Sequence, residues 1–134
     1  MNLMTEISKR LKLILIINTI IAFIYGFFYL IIPEILADLN DAPHFDPHFW
    51  RLWGGLCMVL GIFGLLMIKR AEWEGIKILW EFVIVWLIMM VIVNIMTMFI
   101  IRRSPVNFAS ELFDIIVISA LIVVDTYLYL QEGK

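Results

Sequence analysis

An all-α bundle of four membrane-spanning helices, with a short interfacial helix after the first, is the fold this sequence predicts. Three observations carry the prediction. The chain of 134 residues is 63% hydrophobic and has a mean hydropathy of +1.00, too apolar for a domain that must show water a polar surface. Its apolar residues fall into four long runs. Two of them, Leu13–Ile32 and Phe82–Ile101, hold twenty residues each without a charge, and about 20 apolar residues cross a bilayer core as a helix. Prolines and charge pairs punctuate the runs: Pro33, Asp46-Pro47, Lys69-Arg70, Arg102-Arg103 and Ser104-Pro105. The spans are expected at residues 11–32, 47–68, 77–101 and 105–130 of a single membrane domain covering 1–134.

The first span follows Lys9, Arg10 and Lys12. Its apolar stretch is longer than a signal peptide's and lacks a small-residue cleavage site, so it reads as an uncleaved helix. Pro33 ends it. Pro33-Glu-Ile-Leu-Ala-Asp-Leu39 then alternates apolar and acidic residues in a helical rhythm, which suits a short helix in the membrane interface. The second span opens with Asp46 as N-cap and Pro47 at the first helical position. Trp50 and Trp53 suit headgroup level. Ala71–Gly75 reads as a loop. The third span ends at Arg102-Arg103. The fourth opens with Ser104-Pro105 and ends near Leu130, with Tyr127 and Tyr129 as an aromatic belt.

The fourth span sets the chemical problem. It carries Glu111, Asp114 and Asp125, and only ten residues separate the two aspartates. Those ten cover about 15 Å of a core about 30 Å thick, so at least one carboxylate lies at hydrocarbon depth, where it must be protonated, paired or wetted. The aspartates differ by about 20° around the helical wheel and share a face. Arg51, Arg102 and Arg103 are the expected ion-pair partners of Asp114, and Asp125 is expected to be the neutral acid. Glu81 is expected to pair with Lys77 on the surface. Asn18, Tyr25 and Tyr29 share a face of the first span, and Asn94 and Thr97 a face of the third. With the carboxylates they would form a ligand site or proton path.

Small residues mark where helices meet. Gly54, Cys57, Gly61 and Gly64 fall in one quadrant of the second span, and Ala22 and Gly26 form a small-xxx-small pair in the first. These two stripes are expected to make the closest helix contact. Cys57 is the only cysteine and reads as a small apolar residue, with neither a disulfide nor a Cys-x-x-Cys pair. His44 and His48 flank Asp46, but Pro47 breaks a shared helical face and Asp46 is better explained as a cap. No metal site is expected there. No histidine lies deep in a span to hold haem, no catalytic motif is present, and no cofactor is expected. The net charge of −2 without a basic run argues against nucleic acid as a partner.

Tyr25-Gly-Phe-Phe-Tyr-Leu-Ile-Ile-Pro-Glu34, followed by an acidic loop and Asp46-Pro-His-Phe-Trp-Arg-Leu-Trp-Gly-Gly55, resembles the DoxX-like small four-helix membrane proteins. The resemblance covers the first two spans. It implies the four-helix fold and, for some members, a tie to quinone-linked oxidation; it carries over no catalytic residue. Small multidrug transporters are of similar size but carry a glutamate in the first span, and here that span has no acid.

The leading functional expectation is a non-enzymatic membrane subunit or scaffold, in a homo-oligomer or a larger membrane complex, with a lipid- or quinone-like molecule in its core. The alternatives are a proton-coupled carrier or ion path through Asp114 and Asp125, and a component of a quinone-linked membrane oxidoreductase. With both termini cytoplasmic, seven lysines and arginines lie inside (Lys9, Arg10, Lys12, Lys69, Arg70, Lys77, Lys134) against three outside (Arg51, Arg102, Arg103), as the positive-inside rule asks. In a Cys57→Ala background, an impermeant thiol reagent applied outside should label Asp41→Cys and miss Gly133→Cys; labelling of both from one side would refute this topology.

Overall fold

The computed structural model describes residues 6–134. The described chain is an all-α bundle of five helices: α1 (Lys9–Ile31), α2 (Pro33–Leu39), α3 (Pro47–Arg70), α4 (Trp73–Ile100) and α5 (Pro105–Glu132). All but α2 are long and apolar enough to cross a membrane, as a multi-pass membrane protein requires. Local chemistry starts and stops them. Ser8, Asp46 and Ser104 cap α1, α3 and α5 by accepting from backbone N–H groups of Leu11, His48 and Asn107, and proline opens α2, α3 and α5.

The expected boundaries shift in two places. The loop expected at Ala71–Gly75 is only Ala71 and Glu72, and α4 begins at Trp73. Ala71 makes so tight a turn by taking a left-handed conformation (φ 53°), with its N–H donating to the Met67 carbonyl. Gly75 therefore lies in the first turn of α4. At the other boundary α5 runs on to Glu132, because nothing before Gly133 breaks it.

Two helix pairs form the bundle. α1 packs along the whole of α3, and α4 packs mainly on α5, while α3 and α4 touch little. The α1–α3 seam is the one that the small residues anticipate: Gly26, Gly54, Cys57, Gly61 and Gly64 are all buried and Ala22 is half-buried. At Gly54 a β-carbon would lie 2.4 Å from the Leu30 backbone nitrogen, and at Gly61 one would lie 2.9 Å from the Phe23 ring. Gly26 and Gly64 admit Met58 and Thr19 in the same way. Backbones meet here only because side chains are missing.

One end of the bundle, which holds the start of α1, the C-terminus and the α3–α4 turn, is plugged. Ile7, Leu11, Leu15, Met67, Trp73, Ile76, Trp80 and Leu128 form its buried core. The chain before α1 is pinned there, with the Ile7 N–H donating to the Ala71 carbonyl (3.0 Å) and the Ser8 N–H to Glu132 (3.1 Å). The opposite end carries α2. There the Asn107 side chain, buried in the first turn of α5, donates to the Asn40 carbonyl at the end of α2 (3.0 Å).

Leucine at Gly54 or Gly61 should therefore force α1 and α3 apart and lower the detergent melting temperature, at a cost of about 1–3 kcal/mol. Gly75→Leu is the control, since the nearest atom to a β-carbon there is 3.9 Å away. Equal melting of all three variants would mean that the stripe does not hold the seam.

Candidate functional site

α5 faces α1 with its two aspartates, and α1 answers each with one polar side chain. The Asn18 amide donates to Asp125 Oδ1 at 2.8 Å, and the Tyr25 hydroxyl donates to Asp114 Oδ1 at 2.5 Å. Asn18 and Tyr25 are seven residues apart, about 10 Å along α1, so the same face meets both acids. Asp125 is wholly buried. Its backbone carbonyl accepts from the Trp80 indole N–H (3.2 Å), and among the described residues its Oδ2 has no partner. A buried carboxyl oxygen left unpaired costs several kcal/mol.

The arginines do not pair with Asp114, contrary to expectation. Arg103, its side chain only 8% exposed, pairs with Glu111 (3.1 Å) and donates to the Asn107 side-chain oxygen Oδ1 (2.5 Å). Arg51 reaches back to Glu34 on α2 (2.6 Å), and Arg102 is exposed. The reason is position: Glu34 and Glu111 lie nearer the headgroup zone, and a guanidinium that stays there avoids the cost of following Asp114 inward. The Glu34 carboxyl is held below the usual carboxylate range, first by its own backbone and then by Arg51. That contribution is present above the normal carboxylate pKa and fades as the pH falls through the lowered one; exposure of both groups keeps it small.

Two further expectations change. Asn94 makes no side-chain hydrogen bond to either carboxylate among the described residues, and Thr97 donates to carbonyls of its own helix, Val93 and Asn94. α4 packs on α5, but it is α1 that supplies the side chains bonded to the two carboxylates. Glu81 accepts from the Tyr129 hydroxyl instead of pairing with Lys77; Tyr129 turns in against Trp73, leaving Tyr127 alone exposed.

A cavity of about 350 Å³ lies between the two helix pairs. Its walls are apolar and aromatic, with Leu60, Phe63, Phe82 and Trp86 among them, and Asn18 and Tyr25 supply polar atoms on its α1 side. Val59, Phe63 and Phe82 at its edge are exposed, so it opens sideways through the α3–α4 seam. That seam is bridged by the stacked rings of Trp53 and Trp86, 5.5 Å apart. Trp53 thus guards the cavity rather than marking headgroup level only. The sequence offered one sign of this wall, Trp86, a tryptophan within the uncharged run Phe82–Ile101.

A second, polar pocket of about 170 Å³ lies at the α2 end, lined by Tyr29, His44, Arg103, Glu111 and Asp114 among others. His48 is not part of that lining, and no three His, Cys, Asp or Glu side chains gather as a metal site among the described residues. No family model, curated protein or solved structure matches the chain.

Asn18→Leu should strand the wholly buried Asp125 carboxyl and cost about 1–3 kcal/mol of stability, whereas the double variant Asn18→Leu/Asp125→Leu should recover most of it, since replacing both partners is nearly neutral. Detergent melting of the two variants decides; an equally unstable double variant would show that the pair does more than satisfy itself.

Proposed function

We propose that this protein is a non-enzymatic membrane subunit that holds a lipid-soluble amphiphile in the cavity between its helix pairs. One observation carries the reading: an apolar cavity of about 350 Å³ opens toward the bilayer between α3 and α4, with Asn18 and Tyr25 as its polar anchors. Ligand sites are of this size and character, apolar with a few placed polar groups. Asn18 has one amide hydrogen engaged by Asp125 and keeps its other hydrogen and its carbonyl oxygen; Tyr25 donates to Asp114 and keeps acceptor capacity. The class that fits is a molecule with a flat or chain-like apolar body and a small oxygen-bearing head. The quinone-like class is further supported by the DoxX-like pattern of α1 and α3.

Short connections support a non-enzymatic role. The α3–α4 turn is two residues, and α4 joins α5 through Ile101–Ser104. We place both termini on the cytoplasmic side, on the charge bias. Assembly as a homo-oligomer or within a larger membrane complex is part of the same proposal.

A second reading, a proton-coupled carrier, draws on the two buried carboxylates. Against it, no hydrogen-bonded chain joins the Asp114 and Asp125 pairs across the apolar cavity among the described residues.

Leu60→Trp should place an indole in the cavity and obstruct it. Protein purified from membranes in mild detergent should carry a lipid-soluble small molecule by native mass spectrometry, and Leu60→Trp should lose it while melting within a few degrees of the parent. Retention of the same molecule by Leu60→Trp would refute the cavity as its site.

A further inference from the structure

The two cavities share one polar partition. Tyr25 lines the apolar cavity and Asp114 lines the polar pocket, and the hydroxyl of the first donates to the carboxylate of the second at 2.5 Å. The other side of the apolar cavity is closed. Leu15, Met67 and Trp80 form its floor and belong to the buried plug at the end with the α3–α4 turn, 1 to 3% exposed. We propose that the Tyr25–Asp114 hydrogen bond is a proton bridge, through which a titratable group inside the apolar cavity exchanges protons with the α2 end of the protein and not with the plugged end.

The step balances without any further reagent. Asp114 takes a proton from the polar pocket and its carboxyl turns to present that proton to the Tyr25 oxygen. The Tyr25 hydroxyl rotates toward the cavity, passes its own proton to an acceptor there and receives the Asp114 proton in exchange. The new O–H already points at Asp114, and the carboxylate is free to take the next proton. The net change is one proton moved from pocket to acceptor, with Asp114 and Tyr25 as they began. A phenol beside a carboxylate suits this because each can both give and take a proton, which an amide such as Asn18 does not do readily.

The groups around the bridge favour traffic toward the pocket. Tyr29 of α1 stacks on Tyr25 (6.0 Å between centroids) and lines the polar pocket, as do Glu111 of α5, Arg103 before it and His44 in the loop after α2. On the α3 side Cys57 is the titratable neighbour of Tyr25. α4 carries its titratable side chains, Glu74, Lys77 and Glu81, in its first turns at the far end. Among the described residues, the bridge is where the cavity meets a group that the polar pocket also reaches.

Cys57 provides the readout. It is the only cysteine in the chain and lines the apolar cavity. Its S–H stretch is isolated in the infrared spectrum, so exchange to S–D after transfer of lipid-nanodisc samples into D₂O reports proton access to the cavity. Tyr25→Phe removes the relaying hydroxyl. Asp114→Asn keeps an acceptor for Tyr25 but cannot pass a proton on. Each should slow thiol exchange by about tenfold or more, a change that hydrogen exchange resolves easily. Glu81→Gln, at the plugged end, should leave the rate unchanged. Exchange in both bridge variants as fast as in the parent would overturn the proposal. Slowing by Glu81→Gln would overturn it too, by placing access at the other end, and so would a parent thiol that never exchanges. The test needs no bound amphiphile, so it stands or fails apart from the ligand reading.

Discussion

Carboxyl groups on an otherwise apolar helix are the constraint on which this bundle depends. α5 brings Asp114 and Asp125 into a region where water is scarce, and a carboxyl without a partner there would cost more than any single helix contact returns. The relief comes from one helix. α1 sets Asn18 and Tyr25 on a common face, seven residues apart, and that spacing positions α1 against α5 along its length. The polar contacts act as register marks. Apolar packing between membrane helices tolerates sliding, because one leucine fits roughly where another did. Two hydrogen bonds to fixed acids do not.

The α1–α3 seam completes the arrangement from the other side. Glycines at Gly54 and Gly61 bring α3 so close to α1 that there is no room for a molecule between them. The α3–α4 side has no such glycines, and large rings stand there instead. Space excluded from one seam reappears in the other. The cavity follows from this unequal distribution of small and large residues, and it lies beside the polar pairs because α1 belongs to both.

Much of this was legible in the residues. The four spans, the proline starts, the α2 helix and the glycine stripe follow from periodicity and side-chain size, which are local properties. That a carboxylate of α5 must lie deep was legible too, because helix length fixes depth. The errors concern choice among partners at the same depth. Arg51, Arg102 and Arg103 were all level with Asp114, and nothing in a one-dimensional string shows that Glu34 and Glu111 would engage two of them first. Asn94 failed for a related reason: depth and face can be read from a helix, but not which neighbour the face meets. The cavity itself was invisible, since a void is a property of four helices at once.

The stacked Trp53 and Trp86 across the α3–α4 seam have a consequence for how this protein meets its surroundings. They stand where a side entrance from the bilayer would be. A molecule entering there arrives from the lipid phase, already stripped of water, so its local concentration is set by how strongly it partitions into the membrane. Occupancy would then follow mole fraction in the bilayer rather than molarity in the buffer. Two compounds with equal contacts inside the cavity would differ in apparent aqueous affinity by the ratio of their partition coefficients. Selection begins in the solvent, and the protein inherits a preference that no contact within it has to create.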